Sequence, residues 1–359
     1  LYEQNLEDRT RILGPHHPHT LISRNNLASA YQESGRLDDA IALYEQTLKD
    51  STHILGPNHP STLASRNNLA GAYQAAGRLD DAIPLLEQTL EDRTRILGPH
   101  HPHTLTSHSN LAGAYQESGR LDDAIPLYEQ TLEDRTRILG PHHPDTLISR
   151  NNLANAYRDT GRLDDAITLY ERNFEDRTRI LGPHHPDTLI SRNNLANAYQ
   201  AAGRLKEAIP LLEQTLEDQT RFVGPGHPKT LATRNNLANA YQAAGRLHEA
   251  ITLYEQNLKD STRILGPHHP HTLISRNNLA SAYQAAGRLH EAITLYEQNL
   301  KDSTRILGPH HPHTLISRNN LAGTYRAADR FEDADKLFET SSDSEQDDTE
   351  DNPGQGTGD

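Results

Sequence analysis

The chain has 359 residues, a formal net charge of −14 at pH 7, and hydrophobic residues at only 34% of its positions. It contains no cysteine, which excludes disulfides and thiolate zinc sites, and it has no apolar run long enough to span a bilayer. The acidic balance argues against nonspecific nucleic-acid binding, which draws on basic patches. We therefore expect a cytoplasmic protein with no nucleic-acid partner and no membrane partner.

Residues 1–17 match the later part of a unit that recurs along the chain. The first six residues, Leu1–Leu6, are identical to Leu253–Leu258, which lie in the middle of such a unit. We interpret residues 1–17 as a truncated repeat, with a second helix over Leu1–Leu13 and a connector. The chain is then expected to be a piece of a longer protein.

The hexapeptide Ser23–Ala28 establishes the period. It recurs every 42 residues, with six identical copies and the two variants Ser107–Ala112 and Thr233–Ala238. A fixed period of 20–50 residues indicates stacked supersecondary units. We predict about eight 42-residue repeats over residues 18–340, the last with a shortened second helix from Phe331 to about Thr340.

The first helix of each repeat is predicted from an apolar stripe with a helical period. In the first complete repeat the helix is expected over residues 19–34, after Pro18 and before Gly35, which can adopt a left-handed cap. The stripe consists of Leu21, Leu27, Ala28 and Tyr31. The opposite face consists of Ile22, Asn25, Asn26, Ser29, Gln32 and Glu33. Arg24 falls within the stripe, so we expect its stem along the core and its head group at solvent or at a carboxylate.

The second helix is predicted from Leu37 to Leu55. Acidic residues at its start favour the positive end of a helix dipole, and Gly56 ends it. Three copies carry a proline in the second turn, for which we expect a slight kink or a later helix start: Pro84, Pro126 and Pro210. Residues 341–359 are acidic and nearly free of apolar side chains, so we expect disorder there.

The repeated pattern Asn-Asn-Leu-Ala-x-x-Tyr, Gly-Arg-Leu-x-x-Ala and Leu-Gly-Pro-x-His-Pro resembles the tetratricopeptide repeat, in the 42-residue form of kinesin light chains. Its signature positions are occupied by Leu27, Ala28, Tyr31, Gly35, Ala40 and Tyr44. The resemblance implies an all-α fold, a right-handed α-solenoid (superhelix) of antiparallel helix pairs whose first helices line a concave groove. It also implies a non-catalytic scaffold that binds a protein or an extended peptide, as the repeat region of a larger bacterial regulatory or signalling protein.

Amide and small residues of the first helices are the candidate groove residues. An amide both donates and accepts hydrogen bonds, so a series of asparagines suits the backbone of a bound peptide. An alternative role, compatible with the first, is that asparagine bridges neighbouring helices. The candidates are Asn25, Asn26, Ser29, Asn67, Asn68, Asn110, Asn151, Asn152, Asn155, Asn193, Asn194, Asn197, Asn235, Asn236, Asn239, Asn277, Asn278, Asn319 and Asn320.

Histidine pairs in the connectors, such as His16 and His17, suggest a metal-binding or pH-responsive module. The second histidine of each pair, however, matches the connector that starts the first helix, and no cysteine is available as a partner ligand. We therefore expect no metal and no cofactor. No nucleophile–base arrangement or phosphate-binding glycine loop is present, so we expect no enzyme. A self-associating structural array is a further alternative.

Overall fold

The computed structural model of the protein describes residues 1–339. Within that range the chain forms seventeen α-helices and no strand, which confirms the predicted all-α solenoid of helix pairs. The predicted disordered tail, residues 341–359, lies outside the described residues. None of the described helices is both long enough and apolar enough to cross a membrane.

The helices alternate between two kinds after α1 (Tyr2–Leu13). The first helices of the repeats are α2 (Pro18–Glu33), α4 (Pro60–Ala75), α6 (Pro102–Glu117), α8 (Pro144–Asp159), α10 (Pro186–Ala201), α12 (Pro228–Ala243), α14 (Pro270–Ala285) and α16 (Pro312–Ala327). The second helices are α3 (Leu37–Leu55), α5 (Leu79–Leu97), α7 (Leu121–Leu139), α9 (Leu163–Leu181), α11 (Leu205–Phe222), α13 (Leu247–Leu265), α15 (Leu289–Leu307) and α17 (Phe331–Glu339). The chain divides into two compact units, Leu1–Asp176 and the residues from Arg177 onward. In each unit, helices that follow one another in sequence pack together.

The first helices start at a histidine cap. The Nδ1 atom of His17 accepts a hydrogen bond from the backbone N–H of His19 at 3.2 Å, and Pro18 occupies the first turn. This cap places the helix start one residue earlier than we predicted. At the other end Gly35 has φ 79°, in the left-handed region, and Asp329 adopts φ 58° at the matching position of the last repeat.

The first helices are buried over a wider face than the predicted stripe. Leu27 and Ala28 are buried as expected, but Thr20, Thr62 and Ala72 are also fully buried. The reason is that an inner first helix packs against the second helices of its own repeat and of the preceding one. A single stripe on a helical wheel accounts for only one of these contacts.

In most repeats the tyrosine of the first helix connects three helices. The hydroxyl of Tyr73 in α4 donates to Glu45 Oε1 of α3 at 2.6 Å. The guanidinium of Arg78 lies 4.4 Å from the Tyr73 ring centroid and bonds Asp81 at the start of α5, with 2.7 Å between Nε and Oδ2. Burial and the hydrogen bond to Glu45 raise the pKa of Tyr73 to about 12, so the hydroxyl stays a donor at neutral pH. The arrangement fixes consecutive repeats to one another.

A buried ion pair joins the two helices of most repeats. The Nη1 atom of Arg24 donates to Asp50 Oδ2 at 2.6 Å, and its Nη2 atom donates to the carbonyl of Pro15 at 3.2 Å. We expected the head group of Arg24 at solvent or at a carboxylate, and the structure places it at the carboxylate of Asp50. Burial raises the pKa of Asp50, but hydrogen bonds from Arg24 and Gln46 outweigh this effect, and the pKa lies below its ordinary value. The same pair recurs as Arg66–Asp92, Arg150–Asp176, Arg192–Asp218, Arg234–Asp260 and Arg276–Asp302.

The prolines of the second helices do not delay the helix start. Helices α5, α7 and α11 begin at the same repeat position as the proline-free copies and continue through Pro84, Pro126 and Pro210. The prediction of a later start is wrong. Proline lacks only its own N–H, so at this sixth helical position the helix loses just the hydrogen bond to the carbonyl four residues earlier.

Candidate functional site

The candidate site lies on the surface formed by the first helices, which we call the first-helix face. Within the units, consecutive first helices contact one another directly, as for α2 with α4, α10 with α12 and α14 with α16. Consecutive second helices approach each other less closely in the described part of the chain. The first helices of these three pairs therefore pack directly against each other.

All nineteen candidate groove residues lie on first helices. Asn26, Asn68 and Asn319 are exposed, and the others are partly buried. Most of these side chains therefore do not point freely into solvent. They lie between neighbouring helices or beside a second helix.

Asparagines of consecutive repeats bond to one another across the first-helix face. The Nδ2 atom of Asn278 in α14 donates to Asn235 Oδ1 in α12 at 2.8 Å, and Asn320 donates in the same way to Asn277 at 3.0 Å. In the other unit Asn110 donates to Asn67 at 2.8 Å. We call these contacts the Asn bridges. The Asn bridges show that these asparagines connect neighbouring first helices. Each amide has two N–H groups and an oxygen with two lone pairs, so it can also form a hydrogen bond to a ligand.

In two repeats the third candidate position, Asn155 or Asn239, faces a buried tyrosine of the second helix. The hydroxyl of Tyr254 in α13 donates to Asn239 Oδ1, and it also contacts Gln242 Oε1 at 3.3 Å. Tyr170 donates to Asn155 in the same manner. Our prediction treated Asn155 and Asn239 as outward-facing groove residues, whereas their oxygens turn towards the second helix. A polar residue at this position satisfies the tyrosine hydroxyl, whose burial would otherwise cost free energy.

A groove cavity of about 470 Å³ lies between α12 and α14 on the first-helix face. Its lining residues are Asn239, Gln242, Ala243, Leu247, Tyr254, Asn278, Ser281 and Ala285. The cavity brings together Asn239 and Asn278 from our predicted set. It offers amide and hydroxyl groups and no charged side chain, so it suits hydrogen bonding to a neutral polar chain such as a peptide backbone.

Sequence reasoning missed Gln242 and Tyr254. Tyr44 and its equivalents occupy a signature position of the repeat, and the ring of Tyr254, which stands at that position, is buried. Its hydroxyl nevertheless reaches the cavity wall, and burial raises the pKa of this group. The residue that contacts the tyrosine varies among serine, glycine and asparagine along the array, and the tyrosine itself is replaced by Leu86 and Leu212 in two repeats, so no sequence pattern indicated this contact.

The connector histidines have local structural partners. His17 and its equivalents cap the first helices, whereas the first histidine of a pair lies beside the buried carboxylate, as for His100 Nδ1 and Asp134 Oδ1 at 3.1 Å. In residues 1–339 no three or more histidine, aspartate or glutamate side chains form a group that could hold a metal ion.

Solved structures of other proteins contain repeats similar to those of this chain. A Podosopora anserina protein described as a kinesin light chain, with nearly identical TPR-like repeats, is 38% identical over 57% of this chain and 97% of its own, with a TM-score of 0.52. BtubC from P. vanneervenii is 22% identical over 65% of this chain and 94% of its own, with a TM-score of 0.55. A signal-transduction ATPase with a tetratricopeptide-repeat sensor from Pyrococcus horikoshii is 15% identical over 96% of this chain and 52% of its own, with a TM-score of 0.61. The last two likenesses show the fold alone.

A comparison with curated protein sequences gives no significant match. A family model described as tetratricopeptide repeat matches overlapping segments that extend from residue 1 to residue 344: 1–51, 30–95, 61–135, 104–172, 145–221, 193–259, 229–301 and 275–344. Proteins of this family are generally interaction scaffolds for protein or peptide partners, and the fold is typically non-catalytic. By its period, its paired helices and this match, the chain belongs to the tetratricopeptide repeat family.

Proposed function

We propose that the protein is a non-catalytic scaffold that binds an extended peptide, or an extended segment of a partner protein, along the first-helix face. The observation that carries this proposal is the groove cavity between α12 and α14, which is lined by amides and hydroxyls and by two exposed alanines, Ala243 and Ala285. A peptide backbone presents alternating donors and acceptors, which amides complement without reading side chains. In this proposal the chain serves as the cytoplasmic repeat region of a larger bacterial regulatory or signalling protein.

The asparagines contribute in two ways in this proposal. The Asn bridges hold consecutive first helices at a fixed spacing, and the remaining amide capacity faces the bound chain. A single repeat offers few contacts, so useful affinity requires a peptide that crosses several repeats. Linked contacts of this kind raise affinity without any individually strong bond.

Steric closure of the groove cavity tests the proposal. Peptides that bind the full chain would be selected from a displayed random library, and their affinity measured by fluorescence anisotropy. The double variant Ala243→Phe, Ala285→Phe fills the cavity without altering a hydrogen bond, and should weaken binding at least about tenfold, which equals 1.4 kcal/mol. Gln256→Phe is the matched control, because Gln256 is exposed on a second helix.

Circular dichroism of the three proteins would verify equal helicity. Selected peptides that bind the cavity-filled variant as tightly as the unaltered chain would refute the assignment of the site. Weakening by Gln256→Phe to the same extent would instead place binding on the second helices.

A further inference from the structure

Two cavities lie between consecutive repeats on the first-helix face, apart from the groove cavity. One, of about 240 Å³, is enclosed by α14, α15 and α16, and includes Asn299 and Ser303. The other, of about 460 Å³, lies one repeat earlier, between α12, α13 and α14, and includes the equivalent residues Asn257 and Ser261. We call them the inter-repeat cavities. Their apolar walls include Leu231, Leu265, Leu273, Ile274, Leu307 and Ile316.

Other repeats place an arginine where these two have a serine. Arg93 and Arg135 stand at the position of Ser261 and Ser303, and both are buried. The Nη1 atom of Arg93 donates to Ser107 Oγ at 2.8 Å and to the carbonyl of His103 at 3.1 Å. Arg135 repeats both kinds of contact with the next repeat. The chain itself therefore shows how this space between repeats accommodates an arginine side chain.

The acceptors of that arginine are retained where the arginine is missing. Ser317, the equivalent of Ser107, donates to the carbonyl of His313 at 3.0 Å and accepts from Asn299 Nδ2, also at 3.0 Å. Its hydroxyl oxygen has a second lone pair. The backbone carbonyl and the serine hydroxyl thus lie at the wall of the cavity, as they do around Arg93.

Each inter-repeat cavity also holds an unsatisfied acceptor. Asn257 and Asn299 are 3% and 2% exposed, and the Oδ1 atom of each has no hydrogen-bond partner. A buried acceptor without a partner costs free energy that a donor from a ligand would recover. A guanidinium group has five N–H donors and an aliphatic stem that packs on apolar walls.

We propose that each inter-repeat cavity receives an arginine side chain from a peptide that lies on the first-helix face. The inference rests on the proposed function, according to which a peptide lies on this face, and it adds that the peptide contains arginine. The guanidinium bonds the orphaned asparagine oxygen and the serine hydroxyl, and the stem contacts the apolar walls. The net charge of −14 favours such a cationic partner.

The spacing of the cavities specifies the spacing of the arginines. The cavities belong to consecutive repeats, and packed helices lie about 8–10 Å apart. A polyproline II segment advances about 3.1 Å per residue, so roughly three residues cover one such step. The preferred ligand therefore has two arginines separated by two residues.

The test uses the full chain and a fluorescein-labelled peptide of sequence Pro-Arg-Pro-Pro-Arg-Pro. Ser261→Arg and Ser303→Arg, singly and together, fill the cavities with the side chain that the chain already uses at Arg93. We expect the double variant to bind at least about tenfold more weakly. The matched control is Ser51→Arg, which adds the same charge at the equivalent position of the first repeat and should leave binding unchanged.

Two further measurements keep the proposal testable if an arginine variant misfolds. Asn257→Thr with Asn299→Thr removes the orphaned acceptors and introduces the residue found at Thr89 and Thr131, and should weaken binding at least threefold. A lysine version of the peptide has the same charge without the planar donors, and should bind at least about tenfold more weakly. Equal binding of the two peptides, unchanged affinity in the double serine variant, or no binding at 1 mM peptide would overturn the proposal. Library-selected peptides that lose affinity in Ala243→Phe, Ala285→Phe but not in the serine variants would leave the proposed function intact and remove only this inference.

Discussion

Replacement of Asp92 by asparagine probes the buried ion pair between α4 and α5. Arg66 and Asp92 are 8% and 7% exposed, and their Nη1 and Oδ2 atoms lie 2.7 Å apart. Removal of one partner of a buried pair costs about 3–5 kcal/mol, because the other charge stays buried without compensation. The asparagine oxygen still accepts one bond from Arg66, and a hydrogen bond to a charged group is worth about 1.5–3 kcal/mol. We therefore expect Asp92→Asn to lower the local free energy of unfolding by about 2 kcal/mol.

The loss should depend on pH. Burial raises the pKa of Asp92, but hydrogen bonds from Arg66 and Arg95 outweigh it, and the folded-state value lies below the ordinary one. A carboxylate with a lowered pKa contributes stability that is present above its unfolded-state pKa, near 3.9, and is lost as the pH falls through the folded-state pKa. The difference between the unaltered chain and Asp92→Asn should therefore shrink between pH 5 and pH 3.

Native-state hydrogen exchange of peptides from α4 and α5 at pH 7 measures the local free energy, and it does not require the array to unfold in one step. Thermal unfolding followed by circular dichroism gives the pH dependence. Asp81→Asn is the control, because Asp81 pairs with Arg78 at an exposed site where both side chains are about half accessible. A loss as large in Asp81→Asn as in Asp92→Asn, or one that is the same at pH 3 and pH 7, would refute the reasoning.

Two other substitutions test single contacts. His108 stands where most repeats have the arginine of the ion pair, its Nδ1 atom is buried without a partner, and burial lowers its pKa. His108→Arg should raise the melting temperature by giving Asp134 the buried arginine partner that its equivalents have. The gain should increase as the pH falls below about 6.5, where the buried histidine must take up a proton. A gain that does not change between pH 8 and pH 5 would contradict this. Tyr283→Phe removes the 2.6 Å bond to Glu255 of the preceding repeat and should cost about 0.5–1.5 kcal/mol in urea unfolding, whereas no loss would show that this bond does not stabilise the interface.

The period of the sequence predicts most of the fold. Gly35 and Gly56 locate the helix ends, and the start and end of the second helix, Leu37 and Leu55, are as predicted. These features depend on local backbone chemistry, which repeats with the residues. The histidine cap was missed because histidine is an uncommon cap residue, and serine, threonine, aspartate and asparagine usually fill that place.

The site was less predictable because its contacts join different repeats. A helical wheel describes one helix, so it cannot show that Asn278 donates to Asn235, or that Asn239 accepts from a tyrosine of the next helix. The inter-repeat cavities depend on the difference between serine and arginine at one position of the second helix. The sequence does not show that serine at this position leaves a cavity, because this depends on the packing around residue 303.

The bonds between and within repeats all occur at fixed separations along the chain. The tyrosine–glutamate bonds span 28 residues, the buried ion pairs 26, and the Asn bridges 43. Gain or loss of a whole 42-residue unit therefore keeps these positions in register at the new junction, whereas an insertion of one residue within a unit shifts every bond that spans it. Selection can thus lengthen or shorten the array by recombination between copies, without new compensating substitutions.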